Sequence, residues 1–151
     1  MKDQIDSKLI TALQQNAQAT AQELADMLGL SPSQAARRRQ RLEASGVILG
    51  YRAQLDARAL GLGVQAFVQV QLLNHDPTLS KSFNKLIGSQ PEIISAWAMT
   101  GDADVLLRIY SKDLASLNTL IHDILLAHGA VSRVHSQIVM NQIKQDAPLP
   151  A

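Results

Sequence analysis

The chain has 151 residues, of which 46% are hydrophobic, and 14 lysines and arginines stand against 13 aspartates and glutamates. This composition excludes a disordered chain, and the length is enough for one ordinary domain or two small ones. The lack of cysteine excludes disulfides, thiolate nucleophiles and metal sites with sulfur ligands. We find no signal peptide and no hydrophobic run long enough to cross a bilayer, so we expect a cytoplasmic protein without a membrane partner.

The net charge of +1 is an average over unlike segments of the chain. Residues 31–58 carry six arginines against two acidic residues, whereas residues 1–30 carry two lysines against four acidic residues. Because arginine makes bidentate contacts to phosphates and to guanine edges, the arginine-rich segment is a candidate nucleic-acid interface. A solvated helix face would carry the same charge, so the structure of the segment has to distinguish the two interpretations.

The first fifty residues predict three short helices. Apolar residues at helical spacing indicate an amphipathic helix over residues 3–16. Thr20 and Glu23 form a capping-box signature at the start of a second helix, which Gly29 ends in a left-handed conformation. A third helix begins after Ser31, which is followed by a proline at the first helical position. Two helices joined by a tight turn that contains glycine form a helix-turn-helix.

The third helix presents a polar side that suits a DNA major groove. At 100° per residue, one side of this helix holds Ala35, Arg39 and Leu42. The opposite side holds Ser33, Arg37, Gln40 and Ala44, flanked by Gln34 and Arg41. We predict that bases are contacted by Arg37, Arg41 and Gln34, and phosphates by Ser31, Ser33 and Arg38. The alternative is a helical hairpin that packs on a partner protein, but such a face is expected to be more apolar.

Several motifs of this segment share the order and spacing of one known family. They are the run from Leu28 to Ser33, Arg38, the triplet Arg41-Leu42-Glu43 and the run from Gly46 to Tyr51. The segment therefore resembles the DNA-binding half of the Lrp/AsnC (feast/famine) transcription regulators. Arg39 departs from that family, which usually has a branched apolar residue there. Either its stem covers the core while its head reaches solvent, or the helix packs differently and Arg39 touches DNA.

From residue 64 onward the hydrophobic pattern changes to a period of two, which predicts strands. Strands are expected at 64–72, 93–100, 104–110 and 131–143, and helices at 78–90 and from 114 to about 129. This order is the ferredoxin-like βαββαβ sandwich. The chain as a whole is predicted to be α+β. Its parts are a winged helix-turn-helix (1–50), a linker strand and hinge (51–63), a ferredoxin-like effector-binding and oligomerisation domain (64–143) and a tail (144–151).

Helices on only one face of such a sheet leave the other face bare. We expect apolar or neutral side chains there, among them Phe67 and residues of the last strand. A bare sheet usually pairs with a second copy of the chain. The resemblance implies the same, because family members dimerise through this sheet and often join four dimers in a ring. We therefore expect a homodimer that assembles to an octamer.

The densest polar segment of the second half is the predicted hairpin tip at residues 100–104. Because it matches the family's Thr-Gly-x-x-Asp pattern, the resemblance implies that a small effector, usually an amino acid, is bound by Thr100, Gly101, Asp102 and Asp104. Glycine lets backbone amides approach a carboxylate, and an aspartate accepts a hydrogen bond from an α-ammonium group. An ordinary Gly-Asp turn is the alternative. The family often has an aromatic residue where Ala103 stands, which predicts a wider pocket here.

The sequence contains no pattern of a catalytic or metal site. The four histidines, His75, His122, His128 and His135, lack the spacing of metal ligands, and no local nucleophile–base arrangement is present. We therefore expect neither a metal nor another cofactor.

The predicted function is that of a sequence-specific DNA-binding transcriptional regulator, not an enzyme. We expect its assembly or DNA affinity to respond to a small effector such as an amino acid. One alternative is a ferredoxin-like small-molecule-binding or enzymatic domain whose helical segment is an interaction module. Another is a metabolite-storage or assembly protein. Salt-dependent binding to duplex DNA distinguishes the regulator from the first alternative, and genomic footprinting of bound sites distinguishes it from the second.

Overall fold

The computed structural model describes residues 3–73, 76–145 and 147–150. The chain divides into two compact units, one of residues 1–54 with 143–151 and one of residues 55–142. His75 lies outside the described residues, so the structure does not test the interpretation that it is not a metal ligand. No helix in these ranges is long and apolar enough to cross a membrane.

The first unit contains the three helices predicted from the capping signals. They are α1 (Gln4–Gln15), α2 (Ala21–Leu28) and α3 (Pro32–Ala44). The capping box at Thr20 is formed with Glu23, and Gly29 has a φ of 66°, the left-handed conformation that ends α2. These local hydrogen bonds set the positions at which α2 and α3 begin, so the turn between them is short.

The core of the first unit lies where the three helices meet. Its fully buried side chains include Leu9 of α1, Leu24 and Ala25 of α2, and Ala35 of α3, with Leu42 nearly so. Each fully buried leucine stabilises the unit by about 1.5–3 kcal/mol. The burial of Ala35 and Leu42 confirms which side of α3 faces inward, so the opposite side is the one available to a ligand.

No strand precedes residue 64 in the part of the chain that the structure describes. Residues 49–56 have no regular secondary structure, and residues 57–61 form turns. The prediction of a linker strand within 51–63 is corrected accordingly, and the helix-turn-helix lacks the strands of a wing in the described residues. A strand needs a neighbour to complete its backbone hydrogen bonds. The bonds of this segment are mostly local instead, such as Leu62 N–H to the Ala57 carbonyl at 2.9 Å, although Gly63 N–H, next to β1, donates to the Lys112 carbonyl at 3.3 Å.

The second unit has the predicted βαββαβ order. Its elements are β1 (Val64–Leu72), α4 (Pro77–Ser89), β2 (Ile93–Ala98), β3 (Val105–Ser111), α5 (Leu114–Thr119), which continues as a π-helix over Leu120–Leu125, and β4 (Val131–Ile138). The sheet has the order β2-β3-β1-β4, and every neighbouring pair is antiparallel. The expected helix positions are confirmed to within a few residues.

The last strand ends earlier than the sequence predicts. β4 stops at Ile138 and not at residue 143. Its neighbour β1 begins at Val64, and the last backbone bond between them runs from Val139 N–H to the Gln65 carbonyl at 2.9 Å. Beyond that point β1 offers no further partner, so the alternating residues that follow do not extend the strand.

The two faces of the sheet differ in what covers them. On one face Ala66, Val68, Leu107 and Ile109 are fully buried against the helices, with Phe83 of α4 among them. Strand alternation and register assign the helix-free face to Gln65, Phe67, Gln69, Gln71, Trp97, Leu106, Arg108, Arg133, His135 and Gln137. The expectation of apolar or neutral groups holds for Phe67, but it is wrong for the two arginines.

Candidate DNA-binding helix and effector cavity

The amino terminus of α3 is fixed by a reciprocal pair of hydrogen bonds. The Ser31 hydroxyl accepts from the Gln34 backbone N–H at 3.3 Å, and the Gln34 side-chain oxygen accepts from the Ser31 N–H at 2.9 Å. The hydroxyl of Ser33 lies 3.1 Å from that of Ser31. Two of the residues predicted to bind DNA therefore cap the helix, and the amide nitrogen of Gln34 is the side-chain donor that the capping box leaves unused.

The outer side of α3 carries exposed polar side chains, of which Ser33 contacts the Ser31 hydroxyl and Arg37 has no side-chain partner in the described residues. Arg37 is exposed, and no hydrogen bond or ion pair joins its side chain to another residue within the described ranges. Ser33 and Gln40 are exposed on the same side of the helix. Gln40 was left out of the predicted contacts, although its helical position places it on the outward side beside Arg37. Arg37, Ser33 and Gln40 together form the exposed polar side of α3.

Arg38 and Arg41 point to carboxylates of α1. One guanidinium nitrogen of Arg38 lies 2.7 Å from a carboxylate oxygen of Asp3 and 2.8 Å from one of Asp6. Arg41 lies 2.6 Å from the second oxygen of Asp6. The Asp6 side chain is only 2% exposed, whereas that of Arg41 is 58% exposed. Both arginines therefore hold α3 against α1.

The ion pair between Asp3 and Arg38 changes the proton affinity of both groups. The hydrogen bond from Arg38, followed by the one from the Asp6 backbone, lowers the pKa of Asp3 below its ordinary value. The hydrogen bonds to Asp3 and then Asp6 raise the pKa of Arg38. Both groups are thus charged at neutral pH.

Arg39 occupies the inner side of α3 by using partners of three kinds. It donates to the Glu43 carboxylate at 3.0 Å and to the Ala19 carbonyl at 3.1 Å, and its guanidinium lies over the Tyr51 ring. The Tyr51 hydroxyl donates to the same Glu43 oxygen at 2.8 Å. The pKa of Glu43 is lowered first by the Tyr51 hydroxyl and then by Arg39. Arg39 therefore packs within its own unit, and its head is held by these partners where the first sequence interpretation expects it to reach solvent.

In the second unit, Asp104 ties the hairpin between β2 and β3 to β1. Its carboxylate accepts from the Leu72 N–H at 2.7 Å, and its own N–H donates to the Val70 carbonyl at 3.0 Å. Its carbonyl accepts from the Met99 N–H at 2.9 Å. These bonds engage one of the two carboxylate oxygens of Asp104 and fix the position of the hairpin tip beside β1.

A cavity of about 180 Å³ opens beside that tip on the helix-free face of the sheet. Its lining residues are Gln69, Gln71, Asp102, Ala103, Arg133 and His135. Asp102 is the predicted residue that lines it, whereas Thr100 and Gly101 are exposed and do not. Arg133 and His135 were missed because their pairing with β1, Gln71 opposite Arg133 and Gln69 opposite His135, joins residues more than sixty positions apart.

The cavity combines both charges with neutral hydrogen-bonding groups. Arg133 supplies a planar set of donors that suits a carboxylate, Asp102 supplies an acceptor, and the amides of Gln69 and Gln71 supply both. No group of three or more histidines, aspartates or glutamates in the described ranges is arranged to hold a metal ion. The chemistry of the cavity is that of a small zwitterion or dipolar molecule.

Comparison with known proteins agrees with this architecture. A family model described as the AsnC-type helix-turn-helix domain matches residues 3–43, and one described as the Lrp/AsnC ligand binding domain matches residues 65–149. The leucine-responsive regulatory protein of Rhizobium meliloti is 36% identical over 142 residues, which are 94% of this chain and 91% of that protein. The DNA-binding transcriptional activator DecR of Escherichia coli is 32% identical over 150 residues, which cover 99% of each chain.

Solved structures give the same result. A transcriptional regulator from Neisseria meningitidis in complex with L-Met matches with a TM-score of 0.95 and 33% identity, covering 99% of this chain and 97% of that one. A helix-turn-helix domain followed by a ligand-binding α+β domain defines a transcriptional regulator with an effector domain. The chain belongs to the Lrp/AsnC family of such regulators.

Proposed function

We propose that α3 enters the major groove of double-stranded DNA and that Arg37 contacts base edges there. The observation that carries this proposal is the exposed, unpartnered guanidinium of Arg37 on the outer side of α3, within the described residues. Arginine is the side chain most often used to bind guanine bidentately. Gln40, on the same side, contacts a neighbouring base, and Ser33 contacts a phosphate next to the helix amino terminus.

The other residues predicted from the sequence have supporting roles in this proposal. Ser31 and Gln34 fix the helix start by their capping box, and the amide nitrogen of Gln34, which the capping box does not use, is a donor available to DNA. Arg38 and Arg41 reach a phosphate only by giving up bonds to Asp3 or Asp6. Breaking its ion pair costs Arg41 less free energy than it costs Arg38, because the Arg41 side chain is the more exposed.

The test uses a binding sequence selected from a library of randomised duplexes. We expect Arg37→Ala to lower affinity for the selected duplex by about 1–3 kcal/mol in gel-shift titrations, since a bidentate base contact is worth that much. Arg58→Ala is the matched control, because it removes the same charge from an exposed position in the other unit. Equal effects of the two variants on selected and random duplexes would show that α3 does not read the sequence.

We propose an amino acid as the effector bound in the cavity. Arg133 binds its α-carboxylate and Asp102 its α-ammonium group, while Gln69 and Gln71 complete the polar contacts. Gly101, with a φ of 108°, and Asp104, which binds β1, shape the hairpin from which Asp102 lines the cavity, and Thr100 lies beside them in the chain. The solved relative in complex with L-Met supports an amino acid as the ligand class. Ala103, which also lines the cavity, leaves room for the ligand's side chain.

The effector is found by measuring the melting temperature of the protein with each of the twenty amino acids. A ligand that binds only the folded state raises the melting temperature as its concentration increases. Arg133→Gln is expected to abolish the shift given by the active amino acid, whereas Arg58→Gln, its exposed control outside the cavity, retains it. An unchanged shift in Arg133→Gln contradicts this assignment.

We further propose that the protein acts in the cytoplasm as a homodimer that assembles to an octamer. Three exposed or half-buried apolar side chains support a partner on the helix-free face of the sheet: Phe67, Trp97 and Leu106. Burial of such a face against a second copy is favourable. Sedimentation equilibrium tests the assembly, and Trp97→Ser is expected to shift it towards smaller species. No catalytic step is part of this proposal.

A further inference from the structure

The arginines of α3 are not equally available to DNA. Arg38, Arg39 and Arg41 each pair with a carboxylate, and Arg37 alone among them has no partner in the described chain. The positive charge that α3 presents to DNA is therefore smaller than its four arginines suggest. Two of the three paired arginines, Arg38 and Arg41, bind Asp3 and Asp6 at the start of α1.

Each of these two carboxylates uses both of its oxygens as hydrogen-bond acceptors. Asp6 gives one oxygen to Arg38 at 2.8 Å and the other to Arg41 at 2.6 Å, with its own side chain 2% exposed. Asp3 accepts from Arg38 at 2.7 Å with one oxygen, while its other oxygen caps α1 by accepting from the Asp6 N–H at 2.7 Å. Because Asp6 is buried, its ion pairs are screened by salt much less than pairs between exposed charges.

We propose that Asp3 and Asp6 are specificity-determining residues, which hold Arg38 and Arg41 away from the phosphates of DNA that lacks the binding sequence. This inference rests on the proposed use of α3 in DNA binding. Sequence-independent affinity grows with the number of phosphates that a protein neutralises. Pairing two arginines internally lowers that affinity and leaves the base contacts of the exposed side of α3 intact. The ratio of specific to non-specific binding rises as a result.

The first test measures binding to a random-sequence duplex by fluorescence anisotropy over a salt series. Asp3→Asn is the informative variant, because asparagine caps helices as well as aspartate does and the chain keeps its fold. We expect it to bind the random duplex more tightly than the wild type does and to gain less affinity for the selected duplex, so that the ratio of specific to non-specific binding falls. Because Arg38 keeps its hydrogen bond to Asp6 in this variant, the slope of log affinity against log salt should become steeper by less than about 0.9, the value for one arginine that is fully released. Asp3→Asn combined with Asp6→Asn should steepen it further.

The matched control is Asp26→Asn in α2. It makes the same change in net charge within the same unit, but Asp26 binds the Gln22 side chain and no arginine. A second comparison introduces Arg38→Ala into the wild type and into Asp3→Asn. We expect it to change the slope of the wild type little and to reverse the steeper slope of Asp3→Asn.

Two results would overturn this inference while leaving the proposed function standing. One is an equal effect of Asp3→Asn and Asp26→Asn on random-duplex binding, which would mean that the change in net charge alone explains the effect. The other is an equal loss of random-duplex affinity from Arg38→Ala and Arg37→Ala in the wild type, which would mean that the pairs do not restrain Arg38. The proposed function itself is refuted if the library yields no binding sequence, or if Arg37→Ala binds the selected duplex as tightly as the wild type does.

Discussion

The guanidinium carbon of Arg39 lies 4.7 Å from the centre of the Tyr51 ring. Glu43 joins the two residues by accepting hydrogen bonds from both, at 3.0 Å from Arg39 and 2.8 Å from Tyr51. The aromatic ring and the carboxylate together compensate a charged side chain on the inner side of α3. The same three residues also attach the segment after α3 to the helix.

Substitution of Tyr51 measures the strength of this attachment. Tyr51→Ala removes both the ring and the hydroxyl, and we expect it to lower the free energy of unfolding of the first unit by about 1–2 kcal/mol. Tyr51→Phe keeps the ring and loses only the hydrogen bond, so it is expected to cost less. Urea unfolding followed by circular dichroism measures both. Equal losses in the two variants would mean that the ring contributes nothing beyond the hydroxyl.

The stability of the first unit should depend on pH through Asp3. The hydrogen bond from Arg38 holds the pKa of this carboxyl below its ordinary value of 3.8. A carboxyl whose pKa is lower in the folded state stabilises the fold above its unfolded pKa, and this contribution is lost as the pH falls through the folded pKa. We therefore expect the contribution of Asp3 to decline below about pH 4. Asp3→Asn should flatten that part of the unfolding profile, which urea unfolding at a series of pH values measures.

Gln40 is expected to affect sequence discrimination without affecting the salt dependence of binding. A glutamine that contacts a base carries no charge, so Gln40→Ala should leave the salt slope unchanged and lower the preference for the selected duplex by about 1–3 kcal/mol. Gln15→Ala, at the exposed end of α1, is the control. Competition gel shifts with selected and random duplexes measure the preference. A changed salt slope in Gln40→Ala would contradict a contact made to bases alone.

Asp104 is expected to act mainly through the fold of the hairpin. Asp104→Ala leaves the Leu72 N–H without its acceptor and should lower the free energy of unfolding of the second unit by about 1–3 kcal/mol. Asp104→Asn retains an acceptor oxygen and should be nearly as stable as the wild type, with the effector's thermal shift preserved. If Asp104→Asn lost the shift while remaining stable, its charge would bind the ligand directly.

Local sequence signals predicted the helices of the first unit well. Thr20 with Glu23, and Ser31 with Gln34, form the capping boxes that their spacing indicates, and Gly29 has the expected positive φ. Each of these interactions joins residues at most a few positions apart, so the sequence contains all the information needed. The linker strand was predicted wrongly because extended character is also local, whereas a strand requires a distant partner.

The hydrophobic alternation of β1 and the order of the elements also predicted the βαββαβ fold, since each element is recognised from the periodicity of a single segment. The sequence by itself also identified α3 and its outer side. Tertiary structure alone decided which arginines of α3 are paired, because Asp6 lies 32 positions from Arg38 and 35 from Arg41. It also brought Arg133 to the cavity beside Asp102. Sequence patterns specify what each element is, but the pairing of charges across elements depends on how their faces pack.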